Sequence, residues 1–234
     1  MIYEYGFLMK YSKIHIKSDR KEAIFKSAEE IKRHIKELLR YVGENPYFKY
    51  SLEPLDVGSE VPVIVQRMVE ASNIAGVGPM ASVAGVIADL GLEALLKAGA
   101  SVALVENGGE FSAYTAGEDI VASISTGEPL LSGKIGFLIT KSDSRLGVGT
   151  SSGKVGRTVS FGEADSVTVV ADNAAIADAA ATSICNAVTG SDVRGSIAKG
   201  LEKAKNIRGV RGVIIVRESC VGLMGKLPKI IRIR

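Results

Sequence analysis

Between Asp172 and Asn186 the chain reads DNAAIADAAATSICN, an alanine-rich helical stretch in which Asp178 and Thr182 stand four residues apart. At 3.6 residues per turn, that spacing puts both side chains on one face. A buried carboxylate without a partner costs on the order of several kcal/mol even after the protein relaxes around it. Any fold that buries this helix must therefore bring Asp178 a cation or hydrogen-bond donors. A hard metal ion held by carboxylate and hydroxyl oxygens is one solution. A carboxylate satisfied by neighbouring amide donors is the other. Asn186 extends the stripe and can tie the helix to a neighbour or touch a ligand.

The bulk of the chain sets the limits within which that helix must be placed. With 234 residues, 46% hydrophobic and 24% charged, there is enough apolar surface for a sizeable core, and the expectation is one domain over 1–234. Residues 1–45 are expected to form an N-terminal strand and helix region of that domain. A net charge of +3, no Trp and 6% aromatic residues do not call for nucleic acid. The basic runs from Lys10 to Arg40 and from Lys226 to Arg234 read as solvated faces. Cys185 and Cys220 are lone thiols without CxxC spacing, so neither zinc nor a disulfide framework is indicated, and a reducing cytoplasm is the expected location. Met1 to Leu8 is broken by Glu4 and does not read as a leader. The uncharged run Ala71 to Ala88 approaches spanning length, but its Gly, Ala, Ser and Pro79 content argues against a membrane.

Periodicity divides the rest. Residues 7–17 alternate as a strand, leaving His15 and His34 as exposed or packed structural histidines. Residues 20–42 have a helical period, with Ile24, Ala28, Ile31, Ile35, Leu38 and Leu39 on one face and a stop at Gly43 and Pro46. A loop over 46–62 leads to a helix over 63–71, a glycine turn over 75–80 and a helix over 81–98. Strands are expected at 102–105, 111–114, 120–125 and 135–140, then a loop at 147–153, a strand at 166–170 and the Asp178 helix. A helix over 192–204 and strands at 212–216 and 230–233 complete the chain. Neighbouring runs of strands and of helices, without strict alternation, predict an α+β fold with an antiparallel sheet and packed helices.

Small residues surround every polar centre in the middle of the chain, and glycine and alanine let a ligand approach the backbone. Gly76 and Gly78 belong to a glycine turn opening a helix, where free amides and the helix dipole favour an anion such as phosphate. No Lys follows the last glycine, so this is not a Walker loop. Asn107, Gly108, Gly109 and Glu110 join two strands; spacing alone favours a tight hairpin there. Thr150, Ser151, Ser152 and Gly153 offer hydroxyls on a flexible backbone, as phosphate sites do, although solvated loops share that composition. Two histidines, both near the N-terminus, leave little material for Ser-His-Asp, Cys-His or zinc hydrolase chemistry.

Taken in order, GVGPMASVAG, VENGGE, GTSSG, SFGEADSVTV and ADAAATSICNAV resemble an uncharacterised conserved family of archaeal and bacterial proteins in the ApbE-like superfamily, over about residues 46–225. ApbE proper is a magnesium-dependent FAD:protein FMN transferase that splits FAD and attaches FMN to a Thr or Ser of a target protein. The resemblance implies its α+β fold, with an antiparallel sheet core. It also implies Mg2+ on Asp178 and Thr182, matching the transferases' Asp-x-x-x-Thr motif, and FAD or FMN beside Gly108, Gly109 and Glu110, matching their GG-acid motif. Val83 to Asp89 resembles their AKGYAxD-like segment, with Ala84 in place of Lys, so a backbone carbonyl near Val83 would complete the metal shell. Where the transferases carry His-x-x-Asp-Pro-x-Thr-Gly, this chain has Gly156 to Gly162. Arg157, the candidate catalytic residue in that segment, could clamp a phosphate but cannot act as an ordinary general base.

The functional expectation is a phosphate-bearing ligand, a flavin nucleotide above all, held with Mg2+, with FMN transfer or FAD pyrophosphate cleavage as the chemistry. The alternatives are a non-catalytic binder of flavin or another anionic metabolite, and an assembly partner with a vestigial pocket. A homodimer is compatible with the small-residue helices and antiparallel edges. The chain does not identify a protein acceptor.

Overall fold

The alternating N-terminal segment is not one strand but a hairpin, β1 (Tyr3–Met9) and β2 (Ser12–Ser18), paired from Tyr3 opposite Ser18 to Met9 opposite Ser12. Its turn at Lys10, with φ of 53°, uses no Gly, Asn or Pro, so alternation runs through it unmarked. The computed structural model describes residues 1–124, 133–154 and 160–233. The helix expected at 20–42 is α1 (Lys21–Glu44), and the 46–62 loop opens with a short helix, α2 (Pro46–Tyr50). α3 (Val63–Ala75) ends at Gly76, whose left-handed φ of 71° lets its N–H return to the Ser72 carbonyl. A 3-10 turn at Pro79–Ser82 then feeds α4 (Val83–Lys97).

The strands β3 (Val102–Asn107), β4 (Glu110–Thr115), β7 (Leu146–Ser151), β8 (Ser166–Ala171), β9 (Val210–Arg217) and β10 (Cys220–Gly225) continue from β2 in one antiparallel sheet. The order is β1-β2-β3-β4-β7-β8-β9-β10. A second sheet holds β11 (Lys229–Arg232), β6 (Ile135–Ile139) and β5 (Ile120–Ser123). This is the α+β architecture expected from neighbouring runs of strands and of helices without strict alternation. Two sequence expectations change: 147–153 is mostly β7 rather than loop, and β10 was not anticipated. Both strands contain glycines, which lower β propensity and hide the period.

The layers follow from alternation along the strands. Ala103 and Val105 of β3 face a core with Ile31, Ile64, Met68, Val86 and Leu92 from the helices. Val167 and Val169 of β8 meet Ala180, Ala181 and Ile184 of α5 (Ala174–Ala187) and Ile197 of α6 (Val193–Lys205). The opposite face, with Leu104, Phe111, Val148 and Ile214, is covered by Ile120, Phe137 and Ile139 of the small sheet. One helix, Pro79–Lys97, is long and apolar enough to cross a membrane by length and composition, and 61% of its apolar window is buried within the fold. Its central place between α1, α3, α5 and the sheet accounts for that hydropathy.

What places α5 is a glycine seat. A Cβ on Gly147 would collide with the backbone of Asn173 and Ala174, and one on Gly149 would stand 2.5 Å from the Asp178 nitrogen. Gly85 of α4 meets the backbone of Ala174 and Ala175 in the same way, and Gly162 meets the Cys185 carbonyl. These glycines bring α5 nearer to β7 and α4 than side-chain packing would permit. Gly149→Ala must therefore push against backbone, and a destabilisation of about 1–3 kcal/mol is expected in urea unfolding; a variant as stable as wild type would disprove the seat.

Candidate functional site

Asp178 is buried, 8% exposed, at the first turn of α4. Its Oδ2 accepts the Gly85 N–H at 2.9 Å, and Ala84 also donates its backbone N–H to the carboxylate. The anion expected at this helix start is thus supplied by the protein itself, where free N–H groups and the helix dipole favour negative charge. Asp89 of α4 does the same for α5. Its carboxylate accepts the Ala174 N–H at 3.0 Å, the Ala175 N–H at 2.8 Å and the Ser112 hydroxyl at 2.7 Å. Asn173 caps the next amide, that of Ile176, at 2.8 Å. One turn further along α4, Glu93 accepts both Arg67 guanidinium nitrogens at 2.8 and 2.9 Å and one from Arg145 at 3.1 Å.

These three acids have different electrostatic settings. Burial pushes Asp89 up, while the donors from Ala174, Ser112 and Ala175 and the Arg145 charge pull it back. Glu93 is held below the ordinary carboxylate range because hydrogen bonding and charge from Arg67 and Arg145 outweigh the upward push of burial. Asp178 is pushed well above that range by burial and by the facing charge of Glu110, with the Gly85 and Ala84 amides opposing. Glu110 in turn is pushed up to about 7, chiefly by burial, although its own N–H and that of Thr150 donate to it. A buried acid, Asp178, thus faces a half-buried one, Glu110, and each disfavours the charged form of the other.

The expected site residues fall into groups. Asn107 and Glu110 pair directly across the hairpin, whose two-residue turn is Gly108 and Gly109 with φ of 74° and 137°. The hairpin reading and the site reading hold together here: the turn is tight, and it carries Glu110 to Asp178. Asn107, only 4% exposed, makes no side-chain hydrogen bond among the described residues. Thr182, 7% exposed, likewise engages no partner through its hydroxyl among the described residues. Asp178, Thr182, Glu110 and Asn107 lie on the helix side of the sheet.

The other residues sit apart from that cluster or act through the backbone. Thr150 contributes its N–H to Glu110, while its hydroxyl meets that of Thr168 at 3.0 Å. The Ser151 hydroxyl lies 2.6 Å from that of Ser160, and both hydrogen-bond with the buried Cys185 thiol. The Ser152 Oγ accepts the Lys154 N–H at 3.1 Å, and Gly153 packs on Gly162. Gly76 is the exposed cap of α3, and Gly78 lies against the Ser51 backbone, where a side chain would not fit. Arg157 lies outside the described residues. Asn186 ties its helix to a neighbour by accepting the Phe161 N–H at 2.8 Å. His15 pairs with Glu4, and the buried His34 with Glu37, so both are structural.

Sequence reasoning did not anticipate the cap made by Asp89 or the Arg67–Glu93–Arg145 cluster. Their signal was present: Gly85, Asp89 and Glu93 recur at four-residue spacing, so the two acids share one stripe of an otherwise apolar helix. Among the described residues no three His, Cys, Asp or Glu side chains gather as a metal cluster. The donors that do meet are carboxylate and hydroxyl oxygens, the set a hard divalent cation takes. A cation between Asp178 and Glu110 would remove their mutual repulsion, so the residues present fit one.

A family model described as "AbpE bacteria" matches residues 7–216. A UPF0280 protein from Methanocaldococcus jannaschii is 43% identical over 99% of this chain and 94% of its own length. One from Methanosarcina acetivorans is 36% identical over 97% of this chain and 88% of its own. Among solved structures, the flavin transferase ApbE from Vibrio cholerae superposes with a TM-score of 0.63 at 12% identity, covering 96% of this chain and 97% of that one. The ApbE protein from Thermotoga maritima gives 0.62 at 13% identity over the same shares.

Two measurements test this arrangement. Asp89→Ala strands two amides and a hydroxyl in the interior and is expected to cost about 2–4 kcal/mol of stability; a loss below 1 kcal/mol, on the order of a surface change, would rule out the cap as a structural tie. The second is a pH dependence. An unfolded Glu110 gives up its proton near the ordinary value of 4.5, whereas the folded chain keeps it to about 7. Over that interval the native state binds more protons, so the metal-free protein loses stability as pH rises. Glu110→Gln should flatten this part of the curve of urea midpoint against pH, and a slope left intact would show that Glu110 titrates normally.

Proposed function

The chain belongs to the AbpE bacteria family of ApbE-like proteins, and on that premise we propose that it binds a flavin nucleotide with Mg2+ on the helix side of the sheet, beside Asp178. The observation that carries this reading is the buried Asp178 facing the half-buried Glu110, two acids that disfavour each other's charge, beside a Thr182 hydroxyl with no partner among the described residues. Folding alone does not favour such a pair; a cation does. Asp178, Thr182 and Glu110 would hold it, and Asp178 is fixed in orientation by the Gly85 amide. When bound there, Mg2+ supplies positive charge that offsets the charge developing on a pyrophosphate oxygen during FMN transfer or FAD cleavage. Gly108 and Gly109 keep the hairpin tip free of side chains, so that a planar or phosphate-bearing ligand can approach the backbone. The solved neighbours named as flavin transferases support flavin as the ligand class.

One observation favours a second reading, a non-catalytic flavin or anion binder. Both histidines are engaged on β2 and α1, with Glu4 and Glu37, and neither is placed beside Asp178 to move a proton. On this reading the chain would hold the ligand without turning it over.

Incubation of the protein with FAD and Mg2+, followed by chromatography, separates the two. Release of FMN and AMP that Asp178→Ala abolishes is the expected result for the enzyme, and saturable flavin binding without products is the result for the binder. In both cases Asp178→Ala should weaken Mn2+ binding by at least about tenfold. Absence of both flavin binding and Asp178-dependent metal binding would overturn the proposal.

A further inference from the structure

β10 closes one end of the long sheet, and among the described residues no strand lies on its open side. An edge strand leaves the N–H and C=O groups of alternate residues unpaired, and proteins blunt such edges with charge, proline or short strands. The other sheet edges are blunted in these ways. β1 carries Glu4, ion-paired to Lys17 at 3.0 Å; β11 carries Lys229 and Arg232; β5 has four residues. β10 reads CVGLMG, six residues without a charge or a proline. Its two faces also differ. Gly222 meets Ile197 and Leu201 of α6, and Cys220 and Met224 pack on that side. Val221 and Leu223 lie on the opposite face, paired with Val216 and Ile214 of β9. Those two are buried in the core beneath the small sheet, whereas Val221 and Leu223 are 54% and 56% exposed.

We propose that β10 is a dimerisation edge whose occupant is β10 of a second copy, joined antiparallel about a two-fold axis at Gly222 so that the two long sheets become one. A strand paired with itself in this way meets its own donors and acceptors, and the contact closes after two chains. The sequence selects the register. With Gly222 on the axis, Val221 stands opposite the partner's Leu223, and the same pair recurs across the axis, so four exposed apolar side chains are covered together. Beyond the strand ends, the exposed Glu218 of the β9–β10 turn comes opposite the partner's Lys226, which gives one pair of opposite charges at each end. A shift of one residue would set the packed face of one copy against the bare face of the other. A shift of two would leave Val221 opposite Gly225 or Leu223 opposite Ser219, and would separate the charges.

Analytical ultracentrifugation of the full chain tests this. Wild type should sediment as a dimer at about 100 µM, a concentration at which a contact at the small end of specific interfaces assembles. Leu223→Lys places a charge against the partner's Val221 and should weaken association at least about tenfold. Leu8→Lys, at a 73% exposed leucine on the β1 edge, should leave it unchanged. Both positions are exposed in the single chain, so the variants should keep the wild-type circular dichroism spectrum. The register has its own readout: Glu218→Lys sets like charges opposite each other and weakens the dimer, and adding Lys226→Glu restores it. A wild-type monomer at that concentration, a dimer that Leu223→Lys leaves intact, or one that Leu8→Lys dissolves overturns the proposal. Failure of the charge exchange to restore association overturns the register. Each of these outcomes is independent of flavin or metal binding at Asp178.

Discussion

Asp178 of α5 occupies the first turn of α4, and Asp89 of α4 occupies the first turn of α5. Each helix start leaves amides without intrahelical partners, and in a packed interior no water is at hand to satisfy them. The two carboxylates meet that need reciprocally. The exchange fixes the crossing of the helices in register as well as angle, because each acid is anchored in its own helix and bonded to the other. It also explains why Gly85 stands where the helices touch: a side chain there would separate them and break both sets of bonds.

The sheet is subordinate to this crossing. β7 carries glycine at 147 and 149, the positions that face α5, and gives up side-chain packing on that face so that the helix backbone can settle on the strand. Its other face keeps Leu146 and Val148 in the core beneath the small sheet. The result is that Glu110, which by register lies beside Gly149 on the neighbouring strand, comes within electrostatic reach of Asp178. A larger residue at 149 would hold the helix off and separate the acids. The candidate site is thus a consequence of close backbone approach, and the small residues are its precondition.

This also accounts for how much could be read from the chain alone. The pair Asp178 and Thr182 is legible because helical period puts both on one face, and the hairpin at Asn107 to Glu110 because Asn-Gly is a turn signal, although the turn itself falls one residue later, on Gly108 and Gly109. The α+β class followed from runs of strands and runs of helices. β7 was read as a loop because the glycines that seat α5 erase the alternation by which a strand is recognised. Gly76 and Gly78 were read as an anion turn because a helix start with glycines before it invites an anion. That Asp178, ninety-three residues away, supplies negative charge to that helix start is a tertiary fact with no local trace. Asp89 had a trace, an acid alone on an apolar helix, but its partner could not be named without the crossing.

The two halves of the exchange are not equivalent. Asp89 receives three donors and lies near the Arg145 guanidinium, so the protein itself offsets part of the cost of its burial. Farther along the same helix, Glu93 is matched by two guanidinium groups. Asp178 receives backbone amides, but it faces a second, half-buried acid, Glu110. A fold selected for stability alone would have treated both ends alike, with an arginine or an apolar residue opposite Asp178 as readily as opposite Glu93. The fold supplies its own cations at one end of this network and leaves the other with backbone amides alone, which is why the proposed function starts from Asp178.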